Sequence, residues 1–358
     1  MNAPFRAAAP RVGTADLRDP AELHRIDTFL QSRPQATVFH RPNWLLASAA
    51  GTGNRAHAMV AERGRELTAY LPLTEIHSPL FGRLLASSGF AVGGGLLADD
   101  PTEAAAMFAA LEEMAGRLSC PAIELRGGLL PRRRPGWTIK QNSHCGFVQP
   151  LAADDEAQLA QIPRKQRAEV RKGLAGNLTV SIGTGSADRA AHYAVYSESV
   201  RNLGTPVFPG SLFNAVLDEF GEAADILTVW LDGDPFASVL SLYHGGAVMP
   251  YWGGGTHSAR RFRANDRMYY ELMLHARRRG CDRFDFGRSK INSGAFDFKR
   301  NWGFAPEPLS YAQWTAPGSV PRDADPISAR HSARIALWKR FPLPLTKLVG
   351  PMIARGLG

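Results

Sequence analysis

Cysteine is scarce in this chain. Cys120, Cys145 and Cys281 are odd in number, widely spaced, and form no C-x-x-C pair. That argues against a disulfide framework or a zinc site and fits a reducing compartment. Long apolar runs are also missing, and none approaches the roughly 18 residues that a spanning helix needs. The opening Met-Asn-Ala-Pro-Phe-Arg has no apolar core segment, so no secretory signal is expected and the cytoplasm is the expected location. Acidic residues are short relative to basic ones: 33 Asp and Glu face 42 Lys and Arg, a formal charge of +9. No P-loop, dinucleotide fingerprint, H-E-x-x-H or G-x-S-x-G occurs, so no metal or bound cofactor is expected. The remaining composition, 44% hydrophobic and 21% charged over 358 residues, is that of a globular protein of two domains. A basic surface attracts polyanions without choosing among tRNA, nucleotide-linked precursors and an anionic membrane face. No DNA-binding role is expected.

The most informative stretch runs from Cys281 to Phe304. Phe284 and Phe286 fall on one side of an extended segment, with Asp285 and Gly287 on the other. Arg288, Ser289 and Lys290 follow, then a turn at Asn292-Ser293-Gly294. A second aromatic segment, Phe296-Asp297-Phe298, delivers Lys299 and Arg300. A strand end, a glycine loop and converging cations suit an anionic substrate, and such sites lie at the carboxyl ends of strands. The plain alternative is a hairpin with a solvated basic loop.

The chain also carries a faint duplication. Gly93–Gly95 is followed by a helical pattern over Thr102–Leu118, Cys120, and the run Ala122–Arg126. Gly253–Gly255 is followed by a helical pattern over Asp266–Arg279, Cys281, and Phe284–Phe286. Upstream, Gly64 and Gly233 each sit between two strand-like runs. Both copies read strand, turn, strand, glycine-rich end, helix, strand, which predicts two similar α/β (α+β) domains. The expected divisions are an N-terminal segment 1–35, a first domain 36–150, a second domain 151–315 carrying the site, and an extension 316–358.

Between the copies, Pro163 suits the start of a helix. Arg164, Lys165, Ala168, Arg171 and Lys172 then share one face, either solvated or in contact with phosphate. Helices are expected over Ala187–Arg201 and Ser211–Phe220. In the tail, Ile335–Phe341 gives way to Leu345–Leu357, broken by Pro342, Pro344 and Pro351. It either packs against the first domain or acts as a weak interfacial anchor at the inner membrane face.

Together these segments resemble the FemABX acyltransferases, and more closely the branch associated with PEP-CTERM/exosortase and exopolysaccharide gene clusters. Four blocks carry the resemblance: Ile162–Lys172; Leu231–Ala237 into its strand; Pro250–Gly255; and Phe284–Lys290 through Phe298–Phe304. Asn202–Pro206 adds to it. The resemblance implies two tandem GNAT-like domains and transfer of an aminoacyl group from charged tRNA to an amine of a cell-wall precursor. It implies that Lys299 lies at the reaction centre and that Arg167 faces precursor phosphates.

Acyl transfer passes through a tetrahedral oxyanion, which a fixed cation such as Lys299 stabilises. Asp285 is expected either to orient Lys299 or Arg288, or to take the amine's proton, or to serve as a structural partner. With Arg288 these form the catalytic expectation. Arg164, Lys165, Arg167, Ser289, Lys290 and Phe298 are the expected substrate contacts. Tyr251 and Trp252 either wall the acyl pocket or are core aromatics. Ordinary GNAT enzymes cradle a pyrophosphate with glycines at a helix start. Here Arg260–Asn265 has three arginines and no glycine, which counts against acyl-CoA and suits aminoacyl-tRNA. The expected acceptor is a phosphate-bearing envelope or polysaccharide precursor. An acyl-CoA-dependent N- or O-acyltransferase and a silent binding module for a nucleotide-linked sugar or tRNA are the alternatives.

Overall fold

A computed structural model describes residues 10–322 and 338–358. The expected apolar run at Ile335–Leu337 lies outside them. The chain divides into two compact units. One comprises Met1–Lys140, Ser310–Asp323 and Gly356–Gly358, and the other Gln141–Leu309 and Ala324–Arg355.

In the first unit the elements are β1 (Arg11–Ala15), α1 (Pro20–Gln31), α2 (Pro42–Thr52), β2 (Arg55–Arg63), β3 (Glu66–Ser78), β4 (Gly82–Ser87), β5 (Leu97–Ala98), α3 (Pro101–Arg117) and β6 (Ala122–Arg126). β7 (Trp137–Gly146) crosses into the second unit. There follow β8 (Val148–Pro150), α4 (Asp155–Gln161), α5 (Arg164–Ala175), β9 (Thr179–Gly183), α6 (Ser186–Leu203), α7 (Gly210–Phe220), β10 (Ala224–Leu231), β11 (Asp234–His244), β12 (Ala247–Gly255), α8 (Ala259–Phe262), α9 (Ala264–Arg278), β13 (Arg283–Asp285), β14 (Ser289–Lys290) and α10 (Gly294–Asn301). β15 (Glu307–Thr315) and α11 (Leu343–Ala354) complete the chain.

The duplication is visible in the pairing. β1 to β4 form an antiparallel meander, α3 crosses over, and β6 lies parallel to β4 with β15 antiparallel beyond it. β9 to β12 form the same meander, α9 crosses over, and β13 lies parallel to β12 with β8 antiparallel beyond it. The hairpins turn at Gly64 (φ 68°) and at Asp232-Gly233 (φ 53° and 87°), left-handed positions where glycine costs least. The triple glycines are not equivalent, however. Gly253–Gly255 closes β12, whereas Gly93–Gly95 lies in the loop after β4. The earlier run answers to a different demand: an ideal Cβ on Gly95 would sit 1.9 Å from the Gly127 carbonyl oxygen.

Strand alternation sorts the cores. In the first unit Met59 and Ala61 face Met107, Leu111 and Met114 of α3, while Ala58 and Val60 face Ile26 of α1 and Leu45 of α2. In the second, Leu227, Val229 and Val239 pack with Met268, Leu272 and Ala276 of α9. The opposite face carries His192, Phe213 and Trp252, with α6 and α7. The expected helices after the basic segment form, at Ser186–Leu203 and Gly210–Phe220. One alternative fails: Gly294–Asn301 is a helix, so the Cys281–Phe304 block is not a hairpin. The tail is divided. Helix α11 packs on α6 of the second unit, where an added Cβ on Gly350 would lie 2.8 Å from the Val207 nitrogen and Thr346 is fully buried. Gly356–Gly358 belongs to the first unit, where the Arg126 guanidinium donates to the Gly358 carbonyl at 2.9 Å.

Candidate active site

The site begins where a ladder stops. β12 and β13 pair only at Ala247 with Arg283 and Val248 with Phe284. Two residues further along β12 is Pro250, which has no N–H to donate, and Tyr251 is an extra residue where the register with β11 shifts between Pro250 and Trp252. The Phe286 N–H bonds instead to the Phe147 carbonyl at 2.8 Å. The chain then turns at Gly287 (φ 69°), whose N–H donates to Asp285 Oδ1 at 2.8 Å.

Helix α10 brings Lys299 into this region. The Ser293 hydroxyl caps the helix by accepting from the Phe296 N–H. Phe298 and Trp302, four residues apart, place their rings 6.2 Å from each other. Lys299 is buried, 9% exposed. Its Nζ donates to the Arg288 carbonyl at 3.0 Å and lies over the rings of Phe147 and Phe286 at 5.4 and 5.6 Å. The aromatic wall continues through Tyr269, 4.8 Å from Phe286 and 5.6 Å from Phe298.

This environment is hostile to charge. Burial brings the Lys299 ammonium down to about 8; Asp285 opposes the shift and Arg288 adds to it. Burial likewise raises the Asp285 carboxyl above its ordinary value, against the Gly287 N–H and the Lys299 charge. Among the described residues the two form no ion pair within 4 Å. Each charge favours the ionised form of the other, an arrangement suited to proton management.

Lys299, Asp285, Arg288 and Phe298 are therefore gathered in one region. Ser289 is 5% exposed, hydrogen-bonded into the sheet opposite Cys145, and its hydroxyl has no partner among the described residues. Lys290 is half-buried beside it. Trp252 faces the other way, with its ring 4.7 Å from Phe213 of α7, and is a core aromatic. Tyr251, at the bulge, is half-buried.

The basic helix starts next to the site: an added Cβ on Gly303, just past α10, would lie 3.1 Å from the Pro163 ring. Arg164, Lys165, Arg171 and Lys172 are exposed on one face of α5, while Gln166, Val170 and Gly173 are buried. Arg167 lies between these faces, its Nε donating to the Ile162 carbonyl at 3.1 Å. Sequence reasoning missed three groups. Phe147 lies under the Lys299 ammonium. Gln166 donates at 2.6 Å to Asp266, whose carboxyl burial pushes up. Asn265 crowds Gly255, where an added Cβ would come within 2.5 Å of its Oδ1. None carries a motif; each is recruited by a register or a helix start.

At the start of α9, Arg263 is left-handed (φ 58°) and makes an ion pair with Glu169 of α5. Arg260 and Arg261 are exposed. In the first unit the corresponding helix start is closed by its own side chains. Asp100 accepts from the Thr102 and Glu103 N–H groups, and Glu103 accepts from the Asp100 N–H. That end is already supplied with negative charge. Among the described residues no cluster of His, Cys, Asp and Glu is placed to hold a metal ion, and no helix is long and apolar enough to cross a membrane.

Residues 161–300 match the family described as an acetyltransferase (GNAT) domain. No curated protein matches the sequence. Among solved structures the chain is similar to FemX, at 16% identity and a TM-score of 0.64, covering 84% of this chain and 96% of that one. It is similar to a tandem GNAT protein from the clavulanic acid biosynthesis pathway, at 12% identity and a TM-score of 0.57, covering 87% and 100%. It is also similar to L-PGS from Bacillus licheniformis, at 12% identity and a TM-score of 0.52, covering 95% and 97%. The fold is that of tandem GNAT proteins, and the second unit carries a GNAT-type acyltransferase domain.

Proposed function

We propose that this chain is a FemAB-type acyltransferase that moves an aminoacyl or acyl group onto an amine or hydroxyl of a phosphate-bearing envelope or exopolysaccharide precursor. The observation that carries the reading is Lys299, a buried cation with a pKa near 8, beside a carboxyl that burial pushes up. The acceptor's lone pair attacks the acyl carbonyl carbon and the new C–N or C–O bond forms. The Lys299 ammonium stabilises the resulting oxyanion. Asp285, ionised, takes the acceptor's proton, the bond to the donor's oxygen or sulfur breaks, and the proton passes to the leaving group. The exosortase-associated branch belongs to this proposal and rests on the four sequence blocks. The reaction is assigned to the cytoplasm, consistent with three cysteines that are all free.

Aminoacyl-tRNA is the preferred donor, because the start of α9 offers the exposed side chains of Arg260 and Arg261 rather than a glycine cradle, while Arg263 is tied to Glu169 and Asp266 puts a carboxyl in the first turn. One observation favours acyl-CoA as the second reading. Beyond Val248 no pairing with β13 occupies that edge of β12, and an extended donor arm could pair there. The deciding experiment compares binding of charged tRNA, uncharged tRNA and acyl-CoAs, with Lys299→Met beside wild type. Preference for charged over uncharged tRNA supports the proposal. Acyl-CoA binding without that preference favours the second reading, and binding of neither moves the chain to a silent module.

The exposed face of α5 makes its own prediction. Changing Arg164, Lys165 and Arg171 to glutamate should weaken binding of a phosphate-bearing ligand at least tenfold at low salt. With tRNA, the log–log salt dependence should become shallower by about two to three. Arg167 is left out because it braces the helix start. Unchanged affinity in a salt titration would reduce this face to a solvated one.

A further inference from the structure

Helix α11 presents two unlike faces. Thr346, Gly350 and Ala354 are buried, the inner side turned toward α6 and the Val207 backbone. Leu345, Leu348 and Met352, at i, i+3 and i+7, point outward and are 40, 72 and 71% exposed. Exposed apolar side chains at this spacing form a ridge rather than scattered singles. Leu203, 69% exposed, ends α6, the helix on which α11 rests.

The charges of the segment that carries the ridge have one sign. Residues 338–358 contain Lys339, Arg340, Lys347 and Arg355 and no Asp or Glu. Lys339 and Arg340 are exposed just before the helix and Arg355 just after it. Lys347 lies over the Tyr193 ring at 5.5 Å. The segment is held in place: the Trp338 indole N–H donates to the Thr205 carbonyl at 3.1 Å, and Arg201 donates to the Lys339 carbonyl at 3.3 Å. An outward apolar ridge flanked by cations, on a helix of twelve residues too short to span a bilayer, matches the chemistry of an interfacial helix. A second protein copy would need an acidic complement, and this segment offers only cations to itself.

We propose that the outer face of α11, with Lys339, Arg340 and Arg355, docks the protein onto an anionic lipid surface, the leucines and Met352 entering the headgroup boundary. This goes beyond the acyl-transfer reading and does not depend on it. The test is co-sedimentation of the full chain with vesicles of phosphatidylglycerol in phosphatidylcholine, against phosphatidylcholine alone. The expected result is partition onto the anionic vesicles at low salt, at least tenfold above the neutral ones. Leu348→Glu/Met352→Glu should reduce it at least tenfold with an unchanged melting temperature. Lys339→Gln/Arg340→Gln should reduce it about fivefold per cation and flatten its salt dependence. No preference for anionic vesicles, or equal partition of the Leu348→Glu/Met352→Glu variant, overturns the proposal. So does a wild-type dimer that this variant dissolves, because the ridge would then be a contact between copies.

Discussion

Replacing Lys299 with methionine should abolish acyl transfer while leaving the melting temperature at or above that of the wild-type chain. Methionine keeps the apolar stem among Phe147 and Phe286 and removes the ammonium. Loss of one fixed oxyanion donor typically costs about 10²–10³ in rate. Stability responds to two opposed effects. Lowering a lysine from 10.5 to about 8 corresponds to a penalty on the order of 3 kcal/mol for holding the charged form. The lost bond to the Arg288 carbonyl costs about 1.5–3 kcal/mol. The net is small or favourable to methionine. Between pH 8 and 10.5 the unfolded chain holds a proton that the folded one has released, so wild-type stability rises with pH there. The advantage of Lys299→Met should therefore shrink above pH 8, as urea midpoints at pH 7 and pH 10 would show. Because Lys299 is buried, alanine would add a cavity to the loss of charge.

The same lysine fixes the shape of the rate profile. A cation at the oxyanion predicts activity that falls as pH rises through about 8. Asp285 favours the charged lysine and Arg288 disfavours it. Asp285→Asn should lower the rate, because the proton acceptor is lost, and move that limb of the remaining activity to lower pH; Arg288→Gln should move it higher. A limb that rises through pH 8 in the wild type would instead make the neutral amine a base, and the roles of Lys299 and Asp285 would have to be exchanged.

Trp302→Ala should be the most damaging substitution for the second unit, at about 3–5 kcal/mol. The indole is 1% exposed and packs 6.1 Å from Tyr269, 6.4 Å from Phe286 and 6.2 Å from Phe298. Its Nε1 is buried with no partner among the described residues. Trp302→Phe should accordingly cost less than about 1.5 kcal/mol, since it deletes an unpaired polar group while keeping a ring. Urea denaturation of both variants checks this. Equal losses would mean that the indole N–H is satisfied by water and matters to the fold.

Much of this was legible in the chain because the relevant periodicities are local. The alternation Phe284, Asp285, Phe286 predicts two buried rings and a carboxyl on the other side, and the strand has that arrangement. Pro163 marks the start of α5, and Gly64 and Gly233 mark two left-handed turns. What was illegible is non-local. Phe296-Asp297-Phe298 alternates like an extended segment, yet the Ser293 cap and the Phe298–Trp302 pairing make it helical, and that helix buries Lys299. Trp252 reads equally well as a pocket wall or a core ring until the register of β12 with β11 turns it toward Phe213. Phe147 is 152 residues from Lys299 in the chain and shares no motif with it; the pairing of β8 with β13, continued by the Phe286–Phe147 backbone bond, brings that ring into place.

The β6–β15 pairing has a consequence for synthesis. Ala122–Arg126 pair with Tyr311–Thr315, and every residue of the second unit's sheet is encoded between them. As the polypeptide leaves the ribosome at roughly 5–20 residues per second, β6 remains an open edge for about 10–40 s. The second unit can close its own sheet in that interval, since β8 precedes β9 in the chain. The nascent first half must meanwhile keep the free edge of a strand already paired with β4 from finding the wrong neighbour, so chaperone demand should be concentrated there.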